Sequence, residues 1–340
     1  MKRAGYLSLF LLLALVVSAL PGFGQQQPNL KTRPEYDGYL AVYNEKDPAK
    51  KAALGEKFIA EFKESEGIPN VYTMTIGGYM NSKNWAKTME LADRAVALPN
   101  ADNKLKEYAL QQALTAAQQA NDVDKTLAYG DKLLAVNPQN LNAMIIMSSV
   151  LPSKAATDKT ALDKAEKLAS QALAGIQGMA AKASAAEKAQ FTQIEGTLYA
   201  TRGLVAYNRQ DYMKSIQEYE QAVQRTPKDD MSHFYLALDY QALTVDASKK
   251  YQAAVEAENK AKREKAEQPV IDELTAHRMG LEEEVRKHRD KAIDEFAIAT
   301  AIGGPLAAQA KDALTKMWTS KNDSTAGLEE FIAEKKKQLE

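Results

Sequence analysis

Residues 203 to 227 read GLVAYNRQDYMKSIQEYEQAVQRTP, with glycine, small residues, tyrosines and a proline at orderly intervals. If Asn208 to Asp211, the polar break, is a turn between two antiparallel helices of about 12 to 14 residues, Tyr199, Gly203, Ser215, Tyr219, Ala222 and Pro227 all face the seam. Gly203, without a Cβ, lets the helices approach closely. Ser215 and Ala222 are the small residues opposite it, and Tyr219 fills the gap between them. Pro227 cannot continue a helix and closes the unit.

These residues resemble the tetratricopeptide repeat, a helix–turn–helix unit with a period of about 34 residues. Its bulky residue, glycine, small residue, aromatic, small residue and proline find counterparts in Tyr199, Gly203, Ser215, Tyr219, Ala222 and Pro227. Arg202 departs from the pattern, which usually has leucine there. Leu236, Ala237 and Tyr240 repeat the first-helix signature and Ala247, Tyr251 and Ala254 the second, with a shortened turn between them. Upstream, Leu110, Ala113 and Leu114 lead through Asp122-Val123-Asp124 to Thr126, Leu133 and Pro138. Tyr72, Tyr79, Asn84-Trp85, Thr88, Ala92, Ala95 and Pro99 form a weaker copy. Ala165, Ala169 and Ala172 form a second helix whose partner is Leu141 to Val150, with a loop inserted around Leu151 to Thr160. Ala292, Phe296 and Ala299 mark another second helix. The resemblance implies an all-α solenoid of stacked antiparallel helix pairs, each burying its apolar face against its neighbours. Composition agrees: 45% hydrophobic but only 7% aromatic residues supply an alanine-rich core and little that favours sheets.

The N-terminus reads as an export signal: basic Met1-Lys2-Arg3, an apolar run from Tyr6 to Leu20, then Pro21-Gly22-Phe23-Gly24. Residues 1–24 are therefore expected to be a signal peptide cleaved after Gly24, with Ala19 as the alternative. An uncleaved anchor would require about 20 spanning residues, which the run falls short of. The chain is thus expected to be periplasmic or secreted, with membrane association only if the signal is retained. Cysteine is absent, which rules out disulfides, thiolate metal sites and a lipid anchor on a new N-terminal cysteine.

After a polar linker at 25–35, degenerate repeats are expected over 36–176. They open with a pair marked by Tyr36, Tyr39, Leu40 and Tyr43, then Asp47-Pro48, Leu54, Phe58 and Phe62. Residues 177–194 read as a helical elbow, and 195–259 as the best-matching repeats. A C-terminal repeat and capping helices follow over 260–340, with breaks at Pro269 and Gly303-Gly304-Pro305.

No phosphate loop, dinucleotide fingerprint, zinc-protease motif or nucleophile elbow is present, so no catalytic residue and no cofactor is expected. His277 and His288 would share a helix face with Glu273 and Glu284, but stand about 16 Å apart along the axis, too far for one metal ion. With 44 basic against 45 acidic residues, and Lys2 and Arg3 lost on cleavage, nucleic acid is not an expected partner.

Function should then lie in a surface. The resemblance implies a concave wall of first-helix residues: Tyr108, Gln111, Thr115, Gln118 and Gln119; Ala200, Leu204, Tyr207 and Asn208; Phe234, Leu238, Gln241 and Ala242. Amides and rings suit an extended peptide or partner helix of another envelope protein. The plainer reading of Leu204 and Leu238 is packing between repeats. Glu218 is expected on the outer face. Relatives that grip a C-terminal carboxylate use lysine and asparagine where this chain has Gln111, Ala200, Thr115 and Leu204, so no such clamp is expected. The leading expectation is a non-catalytic scaffold. Self-association and small-molecule or metal binding are the alternatives.

Overall fold

The computed structural model describes residues 28–180 and 183–340. The expected signal peptide lies outside the described residues. All regular structure among the described residues is helical, and the chain divides into two units, Met1–Ala172 and Leu173–Glu340.

In the first unit, α1 (Arg33–Asn44) begins inside the stretch read as a linker. Thr32 and Glu35 explain why: they form a reciprocal capping box that satisfies two backbone N–H groups, and Pro34 sits in the first turn. Asp47 then caps α2 (Pro48–Glu61). The next helices are α3 (Ile68–Asn81), α4 (Trp85–Val96), α5 (Asn103–Gln119), α6 (Val123–Val136) and α7 (Leu141–Val150). The expected inserted loop contains a 3-10 turn, Leu151–Lys154, before α8 (Ala161–Ala180). From α1 to α7 successive helices pack side by side, and α3 also touches both α1 and α5, as stacked first helices of a tetratricopeptide-like array must. Phe58, Val71, Ile76, Leu91, Leu110, Leu114 and Leu133 are buried in one continuous core.

The intra-repeat turn recurs in detail. Lys83, Asn121 and Gln210 adopt left-handed backbone with φ of 58°, 56° and 61°. Each precedes an N-cap, Asn84, Asp122 or Asp211, whose side chain accepts from the backbone N–H of Lys87, Lys125 or Lys214. Each N-cap N–H in turn donates five residues back, to Tyr79, Ala117 or Ala206. The small-residue position follows at Thr88, Thr126 and Ser215. Helix end and helix start are thereby both satisfied within a few residues.

The second unit contains α9 (Ala185–Asn208), α10 (Tyr212–Arg225), α11 (Asp230–Arg263), α12 (Gln268–Ile302), α13 (Ala307–Asn322) and α14 (Leu328–Gln338). The stretch read as an elbow comprises the end of α8 and the first turns of α9, which Ser184 and Glu187 start with a second capping box. The α9–α10 seam matches expectation. A Cβ on Gly203 would lie 2.9 Å from the Tyr219 ring, and Ser215 Oγ donates to the Gly203 carbonyl at 3.0 Å.

The expected repeat over 230–259 is corrected. No turn separates Tyr240 from Ala247, and α11 is one helix of 34 residues. Leu243-Thr244-Val245-Asp246 offers neither glycine nor proline to stop it. The stripe Ala247, Tyr251, Ala254 and Glu258 instead faces α12, where Glu258 accepts from Thr275 and Arg278. Ala292, Phe296 and Ala299 belong to the far end of the same α12. Ala292 is buried, and Phe296 and Ala299 share a core with Ala237, Ala310, Leu314 and Leu328, so α13 and α14 complete it.

Candidate functional site

In the first unit α1, α3 and α5 carry a connected row of half-buried side chains. Asn70 Nδ2 donates to Tyr39 Oη at 3.4 Å, linking α3 to α1. Tyr108 Oη donates to the Thr73 carbonyl at 3.3 Å, linking α5 to α3. Gly77 leaves the room this requires, since a Cβ there would lie 3.2 Å from the Tyr108 hydroxyl. Burial pushes the Tyr108 phenol up to about 12, so the hydroxyl remains a donor. Gln111 and Thr115 continue the row one and two turns along α5, both half-buried. Glu107 fixes the other edge of α5, accepting from Asn137 at 2.6 Å and Asn140 at 3.1 Å in the turn before α7.

Several expected wall residues lie elsewhere. Gln118 is 6% exposed, and Ala200 and Leu204 are 3% and 5% exposed. Ala200 and Leu204 share one core with Ile216, Tyr219 and Ala222 on α10 and Leu236 on α11, so both are packing residues, and burial takes Gln118 out of the wall as well. Leu238 and Phe234 pack against the α11–α12–α13 core, Phe234 meeting the Phe296 ring at 5.8 Å. Tyr207 is half-buried between the rings of Tyr212 and Tyr235, at 6.2 and 5.1 Å, and Asn208 bonds back to the Leu204 carbonyl. Gln119 is exposed, and Gln241 and Ala242 are half-buried.

The packing residues Ala222, Ala237, Ala247 and Ala254 are buried. Pro227 is exposed, and its carbonyl serves His233. Tyr240 bonds Glu220 at 3.0 Å. Tyr251 is half-buried on the α11 stripe.

The second unit buries charge that the sequence did not announce. Glu218 is 7% exposed rather than on an outer face, because Arg202 reaches across the α9–α10 seam to pair with it at 2.5 Å. The residue that departs from the repeat pattern thus brings its own partner. Arg225 pairs with Glu195 at 2.9 Å and lies over the Tyr199 ring at 4.4 Å. Asp239 is fully buried, with no hydrogen-bond partner on either oxygen. Burial pushes its carboxyl up to about 8, and Ser215, the neighbour that favours ionisation, spends its hydroxyl hydrogen on Gly203.

His233, 6% exposed, places Nδ1 2.6 Å from Glu295 Oε2 and Nε2 3.1 Å from the Pro227 carbonyl. His277 and His288 do share the unbroken α12. His277 is exposed, whereas His288 stacks on Tyr240 with centroids 6.1 Å apart and lies 3.7 Å from Glu284. Among the described residues no three acidic or histidine side chains converge as metal ligands, and no helix is long and apolar enough to cross a membrane.

No family model matches the sequence, and no curated protein matches it. Solved structures do. A tetratricopeptide repeat protein from Parabacteroides merdae is 12% identical, with 84% of this chain and 98% of that chain covered and a TM-score of 0.42. The Cut9-Hcn1 heterotetramer of APC/C is 16% identical over 83% of this chain and 55% of that one, with a TM-score of 0.25. The human IFIT1 dimer with PPP-AAAA is 12% identical over 85% of this chain and 78% of that one, also at 0.25.

Proposed function

We propose that the chain is an exported, non-catalytic scaffold that holds an extended polypeptide segment on the α1–α3–α5 face of its first unit. The observation that carries this reading is the row Tyr39, Asn70, Thr73, Tyr108, Gln111 and Thr115. Three consecutive first helices align hydroxyl and amide groups there, and two hydrogen bonds hold the tyrosines in place. Amides pair with the backbone of an extended peptide, and tyrosine rings cover its apolar side chains at little entropic cost. The sequence of residues 1–24, read as an export signal, favours an envelope or extracellular partner.

An RNA ligand, such as the one bound to IFIT1 in its structure, is the reading this face disfavours. A nucleic-acid backbone demands lysine and arginine, and none of the six residues is a cation. The same lack of charge argues against capture of a C-terminal carboxylate.

The reading is tested by panning a library of extended peptides against the full chain and against Gln111→Ala and Tyr108→Ala. Selected peptides should bind the wild type and lose at least about tenfold, or about 1.4 kcal/mol, with either variant. Peptides insensitive to both would sink the proposal.

A further inference from the structure

A cavity of about 370 Å³ opens in the second unit between the C-terminal half of α10, the first turns of α11, the last turns of α12 and the end of α14. Its size lies at the lower end of ligand sites, which run from about 300 to about 1,000 Å³. Val223 and Ile298 give it apolar walls, while Glu220, His233, Glu295 and Lys335 give it charge.

The two cations are already engaged. His233 spends both ring nitrogens, on Glu295 and on the Pro227 carbonyl. Lys335 pairs with Asp294 on α12 and lies 5.2 Å from the Phe331 ring centroid. The acceptors are not exhausted. Glu220 receives only a neutral phenol hydrogen, from Tyr240 at 3.0 Å, and has no cation partner among the described residues. Glu295 uses Oε2 for His233, and its Oε1 makes no hydrogen bond among the described residues. An entering anion would therefore meet unspent negative charge and no unspent positive group. A fitting occupant brings N–H donors and positive charge at one end and a short aliphatic body to lie on Val223 and Ile298.

We infer that this cavity is a binding site for a primary ammonium or guanidinium on an aliphatic stem, the chemistry shared by a lysine or arginine side chain and a free alkylamine. It is distinct from the α1–α3–α5 face and does not depend on the reading of that face. Glu220 supplies the counter-charge, Glu295 the second acceptor, and the His233 and Lys335 pairings hold the walls in place.

Titration calorimetry on the full chain with n-butylammonium, with lysine capped at both backbone ends, and with the same capped lysine acetylated on Nε tests the inference. Both charged probes should bind saturably, with the acetylated one at least tenfold weaker. The tighter of the two charged probes then tells a side-chain source from a free amine. Glu220→Gln changes charge without volume at an exposed position and should weaken both charged probes at least tenfold. Glu295→Gln, whose native fold is checked by its circular dichroism spectrum, should do the same to a lesser degree. No saturable binding, equal affinity for the acetylated probe, or unchanged affinity in Glu220→Gln would overturn the proposal.

Discussion

His233 Nδ1 lies 2.6 Å from a Glu295 carboxylate oxygen while Nε2 meets the Pro227 carbonyl at 3.1 Å, so both partners of the ring are acceptors. Both nitrogens can donate only in the imidazolium. Burial opposes that charge, but the Glu295 bond and charge, the Pro227 carbonyl and Asp229 outweigh it, and the pKa is raised above 6.5. A raised value means the folded state binds the proton more tightly. The stabilisation is therefore fully present below about pH 6.5 and lost as pH rises through the folded value. Melting temperature should fall on going from pH 6 to pH 8, and His233→Gln should lose most of its stability deficit over the same interval. A deficit independent of pH would contradict the charged pairing.

Asp239 acts in the same direction from a different place. Its carboxyl, unpartnered and fully buried, ionises at about 8 rather than 3.8, so folding favours the protonated form. Stability should decline as pH rises from about 4 to about 8, at a rate of up to about 1.4 kcal/mol per pH unit. Asp239→Asn removes the titration and should be the more stable protein by a few kcal/mol at pH 8, while matching wild type near pH 4. Urea unfolding at the two pH values measures this. Lower stability of the variant at pH 8 would show that the carboxylate has a partner.

The α9–α10 seam makes opposed predictions for two substitutions. Gly203→Ala drives a Cβ to 2.9 Å from the Tyr219 ring and should cost about 1–3 kcal/mol by overpacking. Tyr219→Phe deletes a buried hydroxyl that has no partner, and should be neutral or stabilising. Denaturant midpoints of the two variants settle both.

Continuity of α11 can be tested at Val245, which is half exposed in mid-helix where the repeat pattern expects a turn. Val245→Pro should destabilise the second unit by about 3 kcal/mol or more, since it removes a helical hydrogen bond and clashes with the preceding turn. An unchanged unfolding midpoint would restore the turn.

The helix pairs over 72–138 and 199–227 were legible because their signals are local. The Asx caps, the small residue opposite Gly203 and the helix-ending prolines act within a few residues of themselves. Lys83-Asn84, Asn121-Asp122 and Gln210-Asp211, each with lysine three residues after the cap and threonine or serine next to it, carry the turn in plain view. The second half of α11 was misread because Ala247, Tyr251 and Ala254 satisfy a small–aromatic–small pattern whether they face a preceding helix or a following one. Only the partner, α12, decides, and it lies far along the chain. Buried Glu218 and Asp239 were invisible for a related reason: a polar residue in a helix reads as solvated unless its neighbour across the seam is known. The α1–α3–α5 row was half legible. Tyr108, Gln111 and Thr115 were anticipated from the repeat positions, but no wall positions were read on the first helices that carry Tyr39, Asn70 and Thr73. Gln118 was misplaced because it is buried near the end of α5, which spacing along that helix alone does not show.

The most direct test of the scaffold reading is site-specific photo-crosslinking in the native cells from Gln111 and Asn70, with a control at exposed Ala128 on the second helix of the same repeat. One discrete protein should be captured by both wall positions and missed by the control. Capture from Ala128 alone, or no adduct from either wall position, would contradict it.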